Sequence, residues 1–230
     1  MYGVAYDRMI GMVAEGMTVG FDLDMTLIDS RPGIRRTYEA LSRETGVYVD
    51  AELVVTRLGP PLEDELACWF PSERVPELAE RYRELYPSTA IGPSPAMPGA
   101  HEAVRAVQAA GGRALVVTAK YRPSAALHLA HLGLTPDVLV GGLWAEAKAA
   151  ALREYGAAAY VGDHTGDVRG ARTAGVLSVA VPTGPCDAAE LRAAGADVVL
   201  TGGLADFPAW LAEHTAPPGG EHGGERRGER

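Results

Sequence analysis

Cysteine is almost missing: Cys68 and Cys186 are the only two in 230 residues. They make no metal-ligand pattern and fall in segments assigned below to different domains, so neither a disulfide framework nor a thiolate metal centre is expected. Lysine is equally scarce, with Lys120 and Lys148 the only ones among 21 basic residues. No run approaches the roughly 18 apolar residues of a membrane helix. The first residues, interrupted by Asp7, Arg8 and Glu15, lack the basic start and continuous apolar centre of a signal peptide, which makes the cytoplasm the expected location. Positive charge is short as well. A formal net charge of -9 leaves no basic excess to neutralise a phosphate backbone or an anionic bilayer, which excludes nucleic acid and membrane as main partners.

What is present is a globular composition, 47% hydrophobic and 22% charged, in a chain long enough for a core domain with a smaller insert. No fixed-period repeat suggests a solenoid. Thr18 to Leu23 reads as a short buried strand, and it runs into Asp22-Leu23-Asp24-Met25-Thr26. Alternate residues of a strand share a side, so Asp22 and Asp24 are expected to project together at the carboxyl end of a sheet, where open α/β folds bind ligands. The competing reading is a strand ending in a polar turn.

Pro32 falls where a helix begins, with Ser30 or Asp29 as its cap, and Ile34, Tyr38 and Leu41 keep one face apolar up to Thr45-Gly46. Helical patterns follow over Asp50 to Leu58, Leu62 to Phe70 and Val75 to Tyr86, without strand alternation. The Pro- and Gly-dense stretch Ile91 to Gly99 marks a boundary. Beyond it, predicted strands Arg113 to Thr118, Asp137 to Val140, Ala158 to Gly162, Leu177 to Val181 and Asp197 to Leu200 alternate with predicted helices. The helices are Ala100 to Ala110, Pro123 to Leu132, Ala145 to Tyr155, Thr165 to Ala174 and Ala188 to Ala194. This alternation predicts an α/β fold: a Rossmann-like, doubly wound parallel sheet core with an inserted all-helical cap domain. The expected division is a core of residues 1–30 and 97–213, a cap of 31–96 and a disordered tail of 214–230. Residues 1–16 read as a loose leader or a short helix, and Met9, Met12 and Met17 each stand as candidate starts.

Four segments in order carry a resemblance: Asp22-x-Asp24-x-Thr26, Val116-Val117-Thr118, Lys148, and Val161-Gly162-Asp163-His164-Thr165-Gly166-Asp167. Together they resemble the signatures of the haloacid dehalogenase-like hydrolase superfamily, from about residue 18 to about 200. The match is similar in detail to its phosphoglycolate phosphatase-like branch with a helical cap. The resemblance implies a magnesium-dependent phosphatase that hydrolyses a small phosphorylated metabolite through an aspartyl-phosphate intermediate. Asp22 is then the nucleophile and Asp24 the general acid and base, protonated part of the time under the influence of the charge on Asp22. Mg2+ is held by Asp22, the backbone carbonyl of Asp24, Asp163, and Asp167 directly or through water. Thr118, Ala119 and Lys148 bind the phosphate. For Asp163 the plain alternative is a helix cap; for Thr118, an ordinary strand end; for Lys148, a solvated helix face.

Lys120 fits the Thr-x-Lys of that branch, near the cap interface, and Arg57-Leu58-Gly59-Pro60-Pro61-Leu62 resembles its loop over the leaving group. Arg57, Arg35 and Arg36 are candidates for pairing with a substrate carboxylate. Met25 stands where many members carry glycine, so a turn needing positive φ is not expected there. The family's dehalogenases and phosphonate-cleaving members lack the second Asp, which argues against both reactions. The runner-up is a phosphosugar mutase, although residues 31–46 hold none of the His often found there in mutases. The rival of another class is a non-catalytic ligand-binding module on this fold. Quaternary structure is expected to be a monomer or a homodimer.

Overall fold

The computed structural model describes residues 16–215. Among them, six parallel strands form one sheet: β1 (Thr18–Phe21), β2 (Arg113–Val117), β3 (Val138–Val140), β4 (Ala157–Gly162), β5 (Leu177–Ala180) and β6 (Val198–Val199). Their order is β3-β2-β1-β4-β5-β6. The chain therefore winds outward from β1 in one direction through β2 and β3, and in the other through β4 to β6. The crevice for a ligand lies at that reversal, beyond the carboxyl ends of β1, β2 and β4.

The strands are apolar on both faces because helices cover both. Period-two alternation sorts the side chains: Val116, Ala159 and Val161 join one core with Phe21, while Leu115, Val117 and Tyr160 join the other. Phe21 is level with Val116 on one side and Val161 on the other. The residues that follow these strand ends consequently reach the crevice at the same height. Gly20 is dictated by a close approach: a Cβ there would lie 2.8 Å from the Tyr160 ring and 2.9 Å from Leu152.

Between β1 and β2 the chain makes helices α1 (Arg31–Thr45), α2 (Ala51–Val55), α3 (Leu62–Ala67) and α4 (Val75–Thr89). They enclose a separate apolar cluster that includes Tyr38, Leu41, Leu66, Leu78, Tyr82 and Tyr86, the helical cap insertion. Pro32 sits in the first turn of α1 as expected, whereas Ser30 occupies the cap position without a side-chain hydrogen bond. Helix α4 runs past the predicted end at Tyr86 and takes in Pro87. The outgoing and returning chains touch at the base of the cap, where Ile28 bridges Ala96, Asp29 N–H donates to Pro95 and Met97 N–H donates to Leu27.

The remaining helices are α5 (Ala100–Ala109), α6 (Arg122–Leu132), α7 (Lys148–Glu154), α8 (Thr165–Ala174), α9 (Ala188–Ala193) and α10 (Phe207–Thr215). Sequence reading missed α10. Its Phe207, Trp210 and Leu211 have the i, i+3, i+4 spacing of a helix face and pack into the core containing Phe21, but the run is too short to stand out by periodicity. His214 and Thr215, assigned from composition to the tail, form its last turn. The readings of a leader and of a disordered tail fall on residues 1–15 and 216–230, outside the described residues. No helix among the described residues is long and apolar enough to cross a membrane. Both cysteines are free thiols.

Candidate active site

Asp22 leaves β1 with its N–H donated to Val161 O at 2.8 Å, an extension of the β1–β4 ladder that holds the carboxylate at the crevice. The following residues fold back at once: Leu27 and Ile28 N–H groups both donate to Leu23 O, at 2.9 and 3.0 Å. Met25, inside this turn, takes φ +59°. That overturns the expectation from its side chain. The left-handed conformation costs an L-residue roughly 1–2 kcal/mol, and here Met25 is almost wholly buried while its carbonyl accepts from Thr183 Oγ1 at 2.6 Å.

Lys148 opens α7 and is 1% exposed, which overturns the solvated-face alternative. Its Nζ lies 2.8 Å from Asp22 Oδ1 and 2.6 Å from Asp167 Oδ1, and donates to Tyr160 Oη at 2.8 Å. The Tyr160 hydroxyl in turn donates to Val117 O at 2.6 Å. Asp163, after β4, accepts from Thr26 Oγ1 at 2.8 Å. It does not cap α8: His164 occupies that position, accepting from Gly166 N–H at 2.9 Å, while Asp167 accepts from His164 N–H. Oxygens of Asp22, Asp163 and Asp167 lie within 4.8 Å of one another. Thr118 is buried after β2, and its Oγ1 accepts from Lys120 N–H at 3.2 Å.

Three buried carboxylates thus cluster around one buried ammonium, which pairs with Asp22 and Asp167. Burial pushes the Asp22 carboxyl up to about 7; Lys148 pulls it back, and Asp167 and Asp24 add to the rise. Burial, then Asp167 and Asp22, hold Asp163 well above the ordinary carboxylate range. For Lys148 burial disfavours the charge, but Asp167 and Asp22 outweigh it and keep the ammonium above its usual value. The carboxylates outnumber the cation, and an all-oxygen set of this kind suits a hard divalent ion.

The model of the haloacid dehalogenase-like hydrolases matches residues 19–181, a span that takes in Asp22, Thr118, Lys148, Asp163 and Asp167. The chain belongs to the haloacid dehalogenase-like hydrolases. A phosphoglycolate phosphatase of Caulobacter vibrioides is 28% identical over 206 residues, covering 80% of this chain and 86% of that one. The tyrosine-protein kinase PtkA of Mycobacterium tuberculosis is 29% identical over 178 residues, covering 71% of this chain and 61% of its own. Among solved structures, the haloacid dehalogenase-like family protein SP0104 of Streptococcus pneumoniae superposes with a TM-score of 0.71 at 25% identity, covering 81% of this chain and 94% of that one. The names of the two sequence relatives differ in activity, so the reaction of this hydrolase has to be argued from its own site.

That site opens into a cavity of about 350 Å³ between core and cap, lined by Asp22, Asp24, Thr118, Ala119, Lys148, Asp163 and Asp167 on the core side. Asp24 is half-buried, and Lys120 Nζ lies 2.9 Å from its Oδ1. Lys120 also donates to Tyr86 Oη of the cap at 2.8 Å, and Tyr86 contacts His128 Nε2 at 3.0 Å. An ammonium can only donate, so the Tyr86 oxygen accepts from Lys120, and either partner can donate in its contact with His128. Burial, then the charge of Lys120, drive the pKa of His128 down to about 4, which leaves it neutral near pH 7.

Arg57 and Gly59 reach the cavity from the cap. Gly59, at φ +137°, cannot carry a side chain, because a Cβ would lie 2.9 Å from Trp144 and 3.0 Å from His164. Arg35, another candidate for substrate, pairs instead with Glu52 and borders a different groove. Sequence reading assigned nothing to Thr26, Tyr160, Trp144 or Tyr86. Thr26 was within reach as the last residue of the Asp-x-Asp-x-Thr segment; a tyrosine on a buried strand carries no such signal.

Proposed function

We propose that this hydrolase is a magnesium-dependent phosphatase, cleaving the monoester of a small phosphorylated metabolite through a phosphoryl group carried on Asp22. The observation that carries the reading is the buried ammonium of Lys148 shared by Asp22 and Asp167 beside Asp163, at the floor of a cavity that also takes in Asp24 and Thr118. Asp22, Asp163 and Asp167 are the side chains that would hold the ion, with the Asp24 carbonyl. When bound, a divalent cation among them favours the ionised form of Asp22 and offsets phosphoryl charge.

Asp22 attacks phosphorus through a carboxylate oxygen while the ester P–O bond breaks, and Asp24 delivers its proton to the departing alkoxide. Asp24, now ionised, takes a proton from a water that attacks the same phosphorus, breaking the bond to Asp22 and releasing inorganic phosphate. Lys148 holds Asp22 in position and stabilises the negative charge that builds on the transferring group. Thr118 and Ala119 bind its oxygens. Tyr160 and Thr26 are positioning residues, acting through Lys148 and Asp163.

The test is phosphate release from p-nitrophenyl phosphate with and without magnesium, in wild type and Asp22→Asn. Turnover is expected to need magnesium and to fall on the order of 10⁴-fold or more in the variant, as for loss of other nucleophiles. A purified wild type without magnesium-dependent turnover refutes the reading.

A further inference from the structure

The two ends of the cavity differ in what they leave available to a substrate. At the core end the cations face the phosphoryl site. At the cap end Arg57 and Arg83 line the wall, and both are already engaged. Arg57 grips Glu65 with two prongs, Nε to Oε2 at 2.9 Å and Nη2 to Oε1 at 2.7 Å, and the Trp69 indole donates to the same Oε1 at 2.7 Å. Arg83 pairs with Glu63 and with Glu80, the latter at 2.6 Å. Glu63 and Glu65 border the cavity themselves. A carboxylate on the leaving group would meet guanidinium groups whose charge Glu63, Glu65 and Glu80 already offset.

Rings also line this cavity. Tyr38, Tyr82 and Tyr86 form a buried ladder on the cap side with centroids 4.9 and 5.6 Å apart, and Tyr121 and Trp144 line the cavity from the core, Trp144 beside His164. The volume of about 350 Å³ lies within the roughly 300–1,000 Å³ of pockets that enclose drug-sized ligands. We propose that the substrate is the phosphomonoester of an uncharged alcohol bearing an aromatic ring or similarly flat apolar group, and not that of a small carboxylic acid such as glycolate. Rings offer such a group stacking and area burial, whereas the neutralised guanidinium groups offer a carboxylate no unpaired cation.

This rests on the phosphatase reading above, and the experiment separates the two. Benzyl phosphate and 2-phosphoglycolate both leave as primary alkoxides, so comparing their kcat/KM with magnesium reads the pocket and not the leaving group. Benzyl phosphate is expected to lead by tenfold or more. Glu65→Gln, which releases Arg57, is expected to move the ratio at least fivefold toward 2-phosphoglycolate. Turnover of p-nitrophenyl phosphate with 2-phosphoglycolate equal to or ahead of benzyl phosphate overturns this proposal alone, as does an unmoved ratio in folded Glu65→Gln. All three esters inert overturns the phosphatase reading and this one with it.

Discussion

Replacing Asp22 by Asn should inactivate the enzyme and, without metal, make it more stable. The wild-type carboxyl rises from 3.8 to about 7 on folding, so below 3.8 it is protonated in both states and imposes no penalty. Between those values the folded protein binds the extra proton, and stability falls as pH rises; above about 7 the whole penalty is in force. At 1.36 kcal/mol per pKa unit, the full rise amounts to about 4 kcal/mol. Asn resembles the protonated carboxyl, and the rise is already net of the attraction to Lys148, so the expected gain at pH 8 is of the same size, about 4 kcal/mol, roughly 8–16 °C in Tm for a chain of this size. Thermal unfolding with EDTA at pH 8 and pH 5 reads it directly. The variant should melt higher at pH 8, and its advantage should shrink at pH 5, where most of the wild-type carboxyl is protonated. Magnesium should raise the Tm of the wild type more than that of the variant, because a ligand stabilises in proportion to its affinity for the folded state. A variant less stable than wild type at pH 8, or an advantage that grows toward pH 5, refutes the reasoning.

Lys148→Met leaves Asp22 and Asp167 buried without their ammonium, and urea unfolding at pH 8 should register a loss of about 3–5 kcal/mol. The kcat should fall about 10²–10³-fold, because the charge that stabilises the transferring group is gone; a folded variant with wild-type kcat would remove Lys148 from the chemistry. Met25→Gly relieves a left-handed residue worth roughly 1–2 kcal/mol but gives up a buried side chain worth about 1.5–3 kcal/mol and loosens the unfolded chain. A net loss of about 1 kcal/mol is expected from the urea midpoint, and a gain would mean that the strain at this turn exceeds its packing.

Much of the core was readable because its signals are local. Six apolar runs bounded by turn chemistry became six strands, and the helices between them begin and end near the caps and glycines that the chain advertises. Asp22, Thr118 and Asp163 could be picked out together because each follows such a run. The cap-residue alternative for Asp163 could not be dismissed that way, since an Asp ahead of a helix looks the same whether it caps or not; only the His164 hydrogen bond to Gly166 decides it. Met25 misled for a related reason. Side-chain propensity weighs a residue alone, whereas burial of its side chain and the Thr183 bond to its carbonyl hold it in a conformation it would avoid in isolation.

By itself, then, the order of residues determined the alternation of strand and helix, the helical insert after β1 and the chemical types waiting at the strand ends, all consequences of short-range periodicity and backbone preference. The fold alone decided which polar groups meet. Tyr160 under Lys148, Thr26 on Asp163 and Glu65 on Arg57 are pairings chosen by the placement of β1 between β2 and β4 and by the closure of the cap. A buried polar group left unpartnered costs more than a pair gains, so partners are settled by burial across the whole chain.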